Sequence, residues 1–134
     1  MANSLPITNN FATTNLPVLQ KLTQTYKLWH NTLPHIPRLS RYSLGEKIDQ
    51  YFLELAELIL TAGYAKRENK LPLVQKASIK LDTLKFLLQT AWELKSIENK
   101  RFADLAAQLV ETGKMLGGWQ KQLIKETPSQ WGES

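Results

Sequence analysis

Side chains able to do acid–base, nucleophilic or metal chemistry near neutral pH are scarce in this sequence. It has two histidines, His30 and His35, and no cysteine, which excludes thiolate zinc sites and cysteine nucleophiles. His30 follows Trp29 at the end of a predicted helix, and His35 lies in a proline-rich connection. We interpret both histidines as packing or loop residues rather than as ligands.

Carboxylates are the next candidates for a reactive site. A di-metal site in a helical bundle needs Glu-x-x-His pairs, and no glutamate here has a histidine three positions later. The sequence also lacks a glycine-rich phosphate-binding loop and a nucleophile elbow. We therefore predict a protein that is not an enzyme and that has no catalytic, cofactor-binding or metal-binding residue.

Clustered lysines are the more informative polar feature. The formal net charge is +5, and no acidic residue occurs at positions 69–81 or 112–125. At helical spacing the lysines of these two stretches fall on exposed faces, where they would attract phosphates without sequence preference. A solvated face with no partner is the alternative. The candidate residues for binding nucleic acid or a protein partner are Lys76, Lys80, Lys114, Lys121 and Lys125.

Apolar residues recur at intervals of three and four, which predicts four helices. The first covers about residues 16–32, with a core stripe of Leu19, Leu22, Tyr26, Trp29 and Leu33. Ser43 and Glu46 fit a capping box at the start of the second helix, and Asn69 is a candidate cap for the third. Short connections favour an all-α, antiparallel up-down-up-down four-helix bundle over residues 16–126. A flexible tail at 1–15 and a disordered tail at 127–134 complete the predicted organisation.

The second and third helices carry apolar residues on a second side, away from the predicted core. Repeated on adjacent helices, such residues make a patch of the kind that marks association. We predict a homo-oligomer, although residues 1–15 could instead fold over this surface. The predicted interface residues are Leu53, Leu60, Tyr64, Ile79 and Phe86.

The fourth helix contains Gly113, Gly117 and Gly118, each of which costs roughly 1 kcal/mol relative to alanine in a helix. Two explanations are open. Gly113 and Gly117, together with Ala106, could let another backbone approach closely, or the helix could kink at Gly117 and Gly118.

The most apolar segment is interrupted by Glu54 and Glu57, so no stretch is long enough to cross a membrane. Residues 1–15 contain no lysine or arginine before an apolar run and do not resemble a secretion signal. We expect a cytoplasmic protein with no membrane partner.

Four segments, one in each predicted helix or at its start, resemble the accessory variability determinant (Avd) proteins of diversity-generating retroelements. They are VLQKLTQTYKLWH (18–30), SRYSLGEKID (40–49), LKFLLQTAWELK (84–95) and MLGGWQK (115–121). The resemblance covers about residues 17–125. It implies a homo-pentameric barrel that binds the retroelement reverse transcriptase and its RNA or cDNA and supports mutagenic reverse transcription and retrohoming, with all chemistry carried by the polymerase.

Two other interpretations remain open. The related four-helix bundles encoded in rRNA intervening sequences are similar in fold and would imply general nucleic-acid binding. A structural oligomer with no nucleic-acid role is the third possibility.

Overall fold

The computed structural model describes residues 16–126, which form four long helices and no strand. These helices are α1 (Pro17–Thr32), α2 (Glu46–Tyr64), α3 (Arg67–Glu93) and α4 (Asn99–Glu126). The all-helical prediction is confirmed over this range. The predicted tails, 1–15 and 127–134, lie outside the described residues. Among the described residues, no helix is both long and apolar enough to pass through a bilayer.

Each helix packs against its sequence neighbours, and α1 closes the arrangement against α4. Contacts between the helices give their directions. Glu54 of α2 pairs with Lys80 of α3, and Ala62 near the end of α2 is bonded by Lys70 near the start of α3. Residue numbers therefore increase along α2 in the direction in which they decrease along α3, so the two helices are antiparallel. The same holds for α1 with α2 and for α3 with α4, so the order is up-down-up-down.

The core is made of large apolar side chains from all four helices. At one end the Trp29 ring stacks on Phe52 with centroids 6.0 Å apart. The Trp29 indole and the Tyr26 hydroxyl both donate to Oδ1 of Asp49, at 3.1 and 2.9 Å. Burial raises the pKa of the Tyr26 hydroxyl, and its bond to the Asp49 carboxylate adds to the rise. Because each polar group has a partner, the aromatic cluster is buried without an orphaned donor.

The buried face of α1 differs from the predicted stripe. Leu22 and Trp29 are buried as expected, but Leu19, Tyr26 and Leu33 are only partly covered. Val18, Thr25 and Thr32 occupy the remaining core positions. The two threonines donate their hydroxyls to the Lys21 and Leu28 carbonyls of the same helix, so they are buried with their hydrogen bonds satisfied.

The connection from α1 to α2 is helical along most of its length. A 3₁₀ turn (Leu33–His35) and a short α-turn (Arg38–Ser40) lead into a π-helical turn (Arg41–Gly45) that continues directly into α2. The predicted capping box is therefore wrong. The chain is already helical at Ser43, whose hydroxyl donates to the Leu39 and Ser40 carbonyls.

Helix α3 begins earlier than predicted. Lys66 occupies the cap position with extended backbone, so Asn69 is the third helical residue rather than the cap. Pro72 consequently lies beyond the first turn. The ammonium group of Lys70 reaches back to the Ala62 and Gly63 carbonyls, at 2.9 and 3.0 Å, and thereby satisfies the end of α2.

Helix α4 stays helical through its three glycines. A Cβ at Gly113 would lie 3.4 Å from the Leu81 side chain, whereas a Cβ at Gly117 or Gly118 would meet nothing within 4 Å. Gly113 thus faces the same chain, and the other two glycines face open space.

Candidate interaction surfaces

The five predicted interface residues do not share one environment. Leu53, Tyr64, Ile79 and Phe86 are more than half exposed, and Leu60 is only partly exposed. At helical spacing the three on α2 share one side of that helix, where Leu53 lines a groove with Leu33 and Pro34. Ile79 and Phe86 share the exposed side of α3. The structure therefore separates them into two apolar surfaces on different sides of the bundle.

The first surface contains a groove beside the π-helical turn, which we call the π-turn groove. Its volume is about 510 Å³. Its walls are mainly apolar, and its floor includes the buried Gly45. The lining residues are Leu33, Pro34, Arg41, Tyr42, Gly45, Glu46, Asp49, Gln50 and Leu53. Of these, only Leu53 is among the interface residues predicted from the sequence.

Arg41 helps to fix the wall of the π-turn groove. Its Nε and Nη2 donate to the Ile36 carbonyl at 3.2 and 2.9 Å, and Nη2 also reaches the Pro34 carbonyl at 3.2 Å. These bonds tie the 3₁₀ turn to the π-helical turn, so the part of the groove lining that these two turns supply is held in place. A proline-rich connection gives no periodic signal for such a wall, and this explains why sequence reasoning missed it.

The second surface lies on α3. Ile79 and Phe86 are seven residues apart, and Thr83 and Thr90 alternate with them at intervals of three and four. The Thr83 hydroxyl donates to the Ile79 carbonyl at 3.2 Å, and the Thr90 hydroxyl donates to the Phe86 carbonyl at 3.0 Å. We call this set the α3 ridge: Ile79, Thr83, Phe86 and Thr90. Both threonine hydroxyls bond to carbonyl groups of the same helix, and none of the four side chains carries a charge.

Lys80 differs from the other candidate lysines. Its Nζ lies 2.8 Å from Oε1 of Glu54 and 4.2 Å from the centre of the Tyr51 ring. Hydrogen bonds from Lys80 and then Gln50 hold the pKa of the Glu54 carboxyl below its usual range. The charge of Lys80 is thus already compensated by α2. Lys76 and Lys80 both line a separate groove between α2 and α3. Lys76 is exposed and, among residues 16–126, has no ion-pair partner.

The three lysines of α4 form a single exposed stripe. Within the described part of the chain, none of Lys114, Lys121 and Lys125 is in an ion pair. Lys121 and Lys125 flank a shallow groove of about 510 Å³ over Gly118, where no side chain intervenes. The arrangement suits a polyanion, because a backbone could approach the helix closely between cations.

The histidines lie apart from these surfaces. His30 is exposed on α1 with its ring 6.1 Å from that of Tyr26, and His35 is exposed in the 3₁₀ turn. Over residues 16–126, no three His, Cys, Asp or Glu side chains come together in a way that could hold a metal ion.

An antiparallel four-helix bundle with two uncovered apolar surfaces and a basic stripe has the features of an interaction module. The family comparison makes this specific: a model of the bAvd-like family matches residues 16–123, and the chain belongs to that family. The family is of an accessory, non-catalytic type, and the resemblance drawn from the four sequence segments is confirmed. A search of curated proteins gave no match.

Proposed function

We propose that this protein is the accessory subunit of a diversity-generating retroelement. It assembles as a homo-pentamer and binds the element's reverse transcriptase together with template RNA or cDNA, supporting mutagenic reverse transcription and retrohoming. The observation that carries the proposal is the family match over residues 16–123, which takes in all but the last three residues of α4.

The basic stripe on α4 supports the nucleic-acid part of the proposal. Lys114, Lys121 and Lys125 are exposed cations with no ion-pair partner in residues 16–126, so they are free to replace counterions on a phosphate backbone. Cyclic symmetry would repeat the stripe once per subunit, and the summed field would attract a polyanion far more strongly than three lysines do. In this role the chain holds the template, while the polymerase supplies the chemistry.

The two apolar surfaces support the assembly part. Monomeric proteins rarely leave several large apolar side chains exposed next to one another. Here Ile79 and Phe86 are each about two-thirds exposed on one helix, and Leu53 is about half exposed beside a groove. Subunit contacts would cover both surfaces.

Co-purification tests the proposal directly. The tagged full chain is expressed with the reverse transcriptase of its own element and captured at low salt, and the eluate is assayed for polymerase and for bound RNA. We expect both to be retained, with RNA lost first as salt is raised. An unrelated tagged four-helix bundle of similar charge is the control. Failure to retain the polymerase at low salt would contradict the proposal.

A further inference from the structure

We propose that the two apolar surfaces are the two halves of one contact between copies of this chain. The α3 ridge of one copy enters the π-turn groove of the next, with Phe86 as the inserted side chain. The inference rests on the proposed function only in requiring that the chain associates with itself, and it assigns which surface meets which.

The π-turn groove has the properties of a receptor for an aromatic side chain. Its 510 Å³ lies within the usual size range for small-molecule sites, and Leu33, Tyr42 and Leu53 give it apolar walls. The hydrogen bonds of Arg41 fix the turn that carries Leu33 relative to the turn that carries Tyr42 before anything binds. A preformed groove loses little side-chain freedom when it is filled, and association is stronger for that reason.

The α3 ridge has the complementary shape. Phe86 is 65% exposed and Ile79 is 67% exposed, with Thr83 between them along the ridge. An aromatic side chain inserted into a pocket is the usual energetic centre of a protein interface. The ridge carries no charge that would have to be desolvated as it enters an apolar groove.

The helices that carry the two surfaces have net charges of opposite sign. Over Glu46–Tyr64, helix α2 has four acidic residues and one lysine, a net charge of −3. Over Arg67–Glu93, helix α3 has five basic and three acidic residues, a net charge of +2. Bringing α3 of one copy against α2 of the next pairs opposite charges, whereas pairing α2 with α2 would oppose like charges. Charge complementarity therefore favours a second copy of this chain as the occupant of the groove.

A contact between two different surfaces has a consequence for assembly. Each copy offers one groove and one ridge, so contacts continue from copy to copy until a ring closes. The stripe of α4 takes no part in this contact and stays available to a polyanion. Lys76 and Lys80 border the α3 ridge, and the inference places them at the subunit boundary.

Two charge-introducing variants test the pairing. Phe86→Glu spoils the ridge and leaves the groove intact, and Leu53→Glu does the reverse. Both positions are more than half exposed, so helix content by circular dichroism should be unchanged. Each substitution alone should weaken self-association by more than about 30-fold, the size expected for loss of an interface hot spot. Light scattering of each single variant should therefore give the 15.3 kDa mass of a monomer.

Mixing the two variants is the decisive measurement. The intact ridge of Leu53→Glu fits the intact groove of Phe86→Glu, so an equimolar mixture should form a dimer and nothing larger. A mixture that stays monomeric would overturn the inference, as would single variants that each remain dimers, because that result means like surfaces pair with like. If either variant fails to fold, Ile79→Glu and Tyr42→Glu form a second pair at exposed positions.

Ile124→Glu is the matched control, because Ile124 is a half-exposed apolar residue on α4, away from both surfaces. The Ile124→Glu variant should keep the oligomer mass of the wild type. Dissociation of this variant would overturn the assignment of the two contact surfaces, and so would a wild type that is monomeric. These measurements need neither polymerase nor RNA. A failed co-purification would therefore contradict the proposed function and not the pairing of ridge and groove. A mixture of variants that stays monomeric would contradict the pairing and not the association with the polymerase.

Discussion

Lys76 and Lys80 illustrate how two residues of one type acquire different roles despite similar sequence surroundings. Lys80 and Lys76 sit one turn apart in the same acid-free stretch, and nothing along α3 distinguishes them. The difference comes from α2, which places Glu54 2.8 Å from Lys80 and the Tyr51 ring beneath it. A partner 26 residues away in the chain cannot be inferred from the spacing of lysines.

The Glu54 ion pair should make stability depend on pH. The pKa of the Glu54 carboxyl is lower in the folded chain than in the unfolded one, because Lys80 and Gln50 donate hydrogen bonds to the carboxylate. Its contribution is therefore present above the ordinary carboxyl pKa of 4.5 and is lost as the pH falls through the lower, folded value. Glu54→Gln should lower the melting temperature near neutral pH, and the gap from the wild type should close under acid conditions.

Thermal unfolding of the two proteins across a pH series measures that gap. Glu57→Gln is the matched control, since it removes the same charge from the same helix at an exposed position. Its difference from the wild type should stay small throughout the series. A gap for Glu54→Gln that is constant or widens toward acid pH would show that the carboxylate is not stabilised by Lys80.

At the scale of the helices, periodicity predicts which segments are helical. It does not determine how each helix is rotated about its axis or where it begins and ends. The four helical segments and the burial of Leu22 and Trp29 follow from apolar spacing. The burial of Thr25 and Thr32 on α1 does not follow from it, because these polar residues are buried with their hydroxyls bonded to carbonyls of the same helix.

The start of α2 shows the same limit for local signals. Ser43 and Glu46 have the spacing of a capping box, yet the preceding residues are already helical and the serine turns back onto its own helix. A cap is used only where a helix begins, and the π-helical turn moves that point away from Ser43. The π-turn groove depends on this turn and on the tie between Arg41 and the Pro34 carbonyl, neither of which has a periodic signature.

Glycines on α4 allow a prediction about helix stability. A Cβ at Gly118 would meet nothing within 4 Å, so alanine there adds helix propensity without a clash. Gly118→Ala should raise the free energy of unfolding by about 1 kcal/mol and the melting temperature by roughly 3–5 °C. Gly63→Ala is the contrast, because its Cβ would lie 2.7 Å from a Leu16 methyl group and the leucine would have to move.

Melting curves of the two alanine variants should therefore separate, with Gly118→Ala the more stable. The comparison also reports on the surroundings of α4. If Gly118→Ala melted below the wild type, the open face seen in the single chain would be wrong for the protein in solution, and a neighbouring backbone would have to lie against Gly118.

At the scale of the whole molecule, the surfaces proposed for the two roles lie on different helices. Apolar surfaces on α2 and α3 are suited to contacts with further copies, while the free cations of α4 face another direction. Sequence reasoning proposed both kinds of residue because each is repeated at helical spacing, and their binding roles stay predictions. It could not assign them to sides of the bundle, since that depends on how the four helices are rotated against one another.

The last prediction concerns the stripe of α4 in the assembled protein. Replacing Lys114, Lys121 and Lys125 together by glutamine should weaken binding to single-stranded RNA and leave the oligomer mass unchanged. Each lost phosphate contact lowers the slope of log K against log salt by about 0.7, so the triple variant should lose about 2 units of slope per subunit in contact. Fluorescence anisotropy over about 50–200 mM salt measures this slope.

The matched control for the triple variant replaces three cations that already have ion-pair partners, Arg67, Lys100 and Arg101, which removes the same charge. Because compensated cations release few counterions, the control should keep most of the slope. An equal loss in both variants would mean that overall charge, rather than this stripe, holds the RNA, and an unchanged slope in the first would place the RNA elsewhere on the bundle.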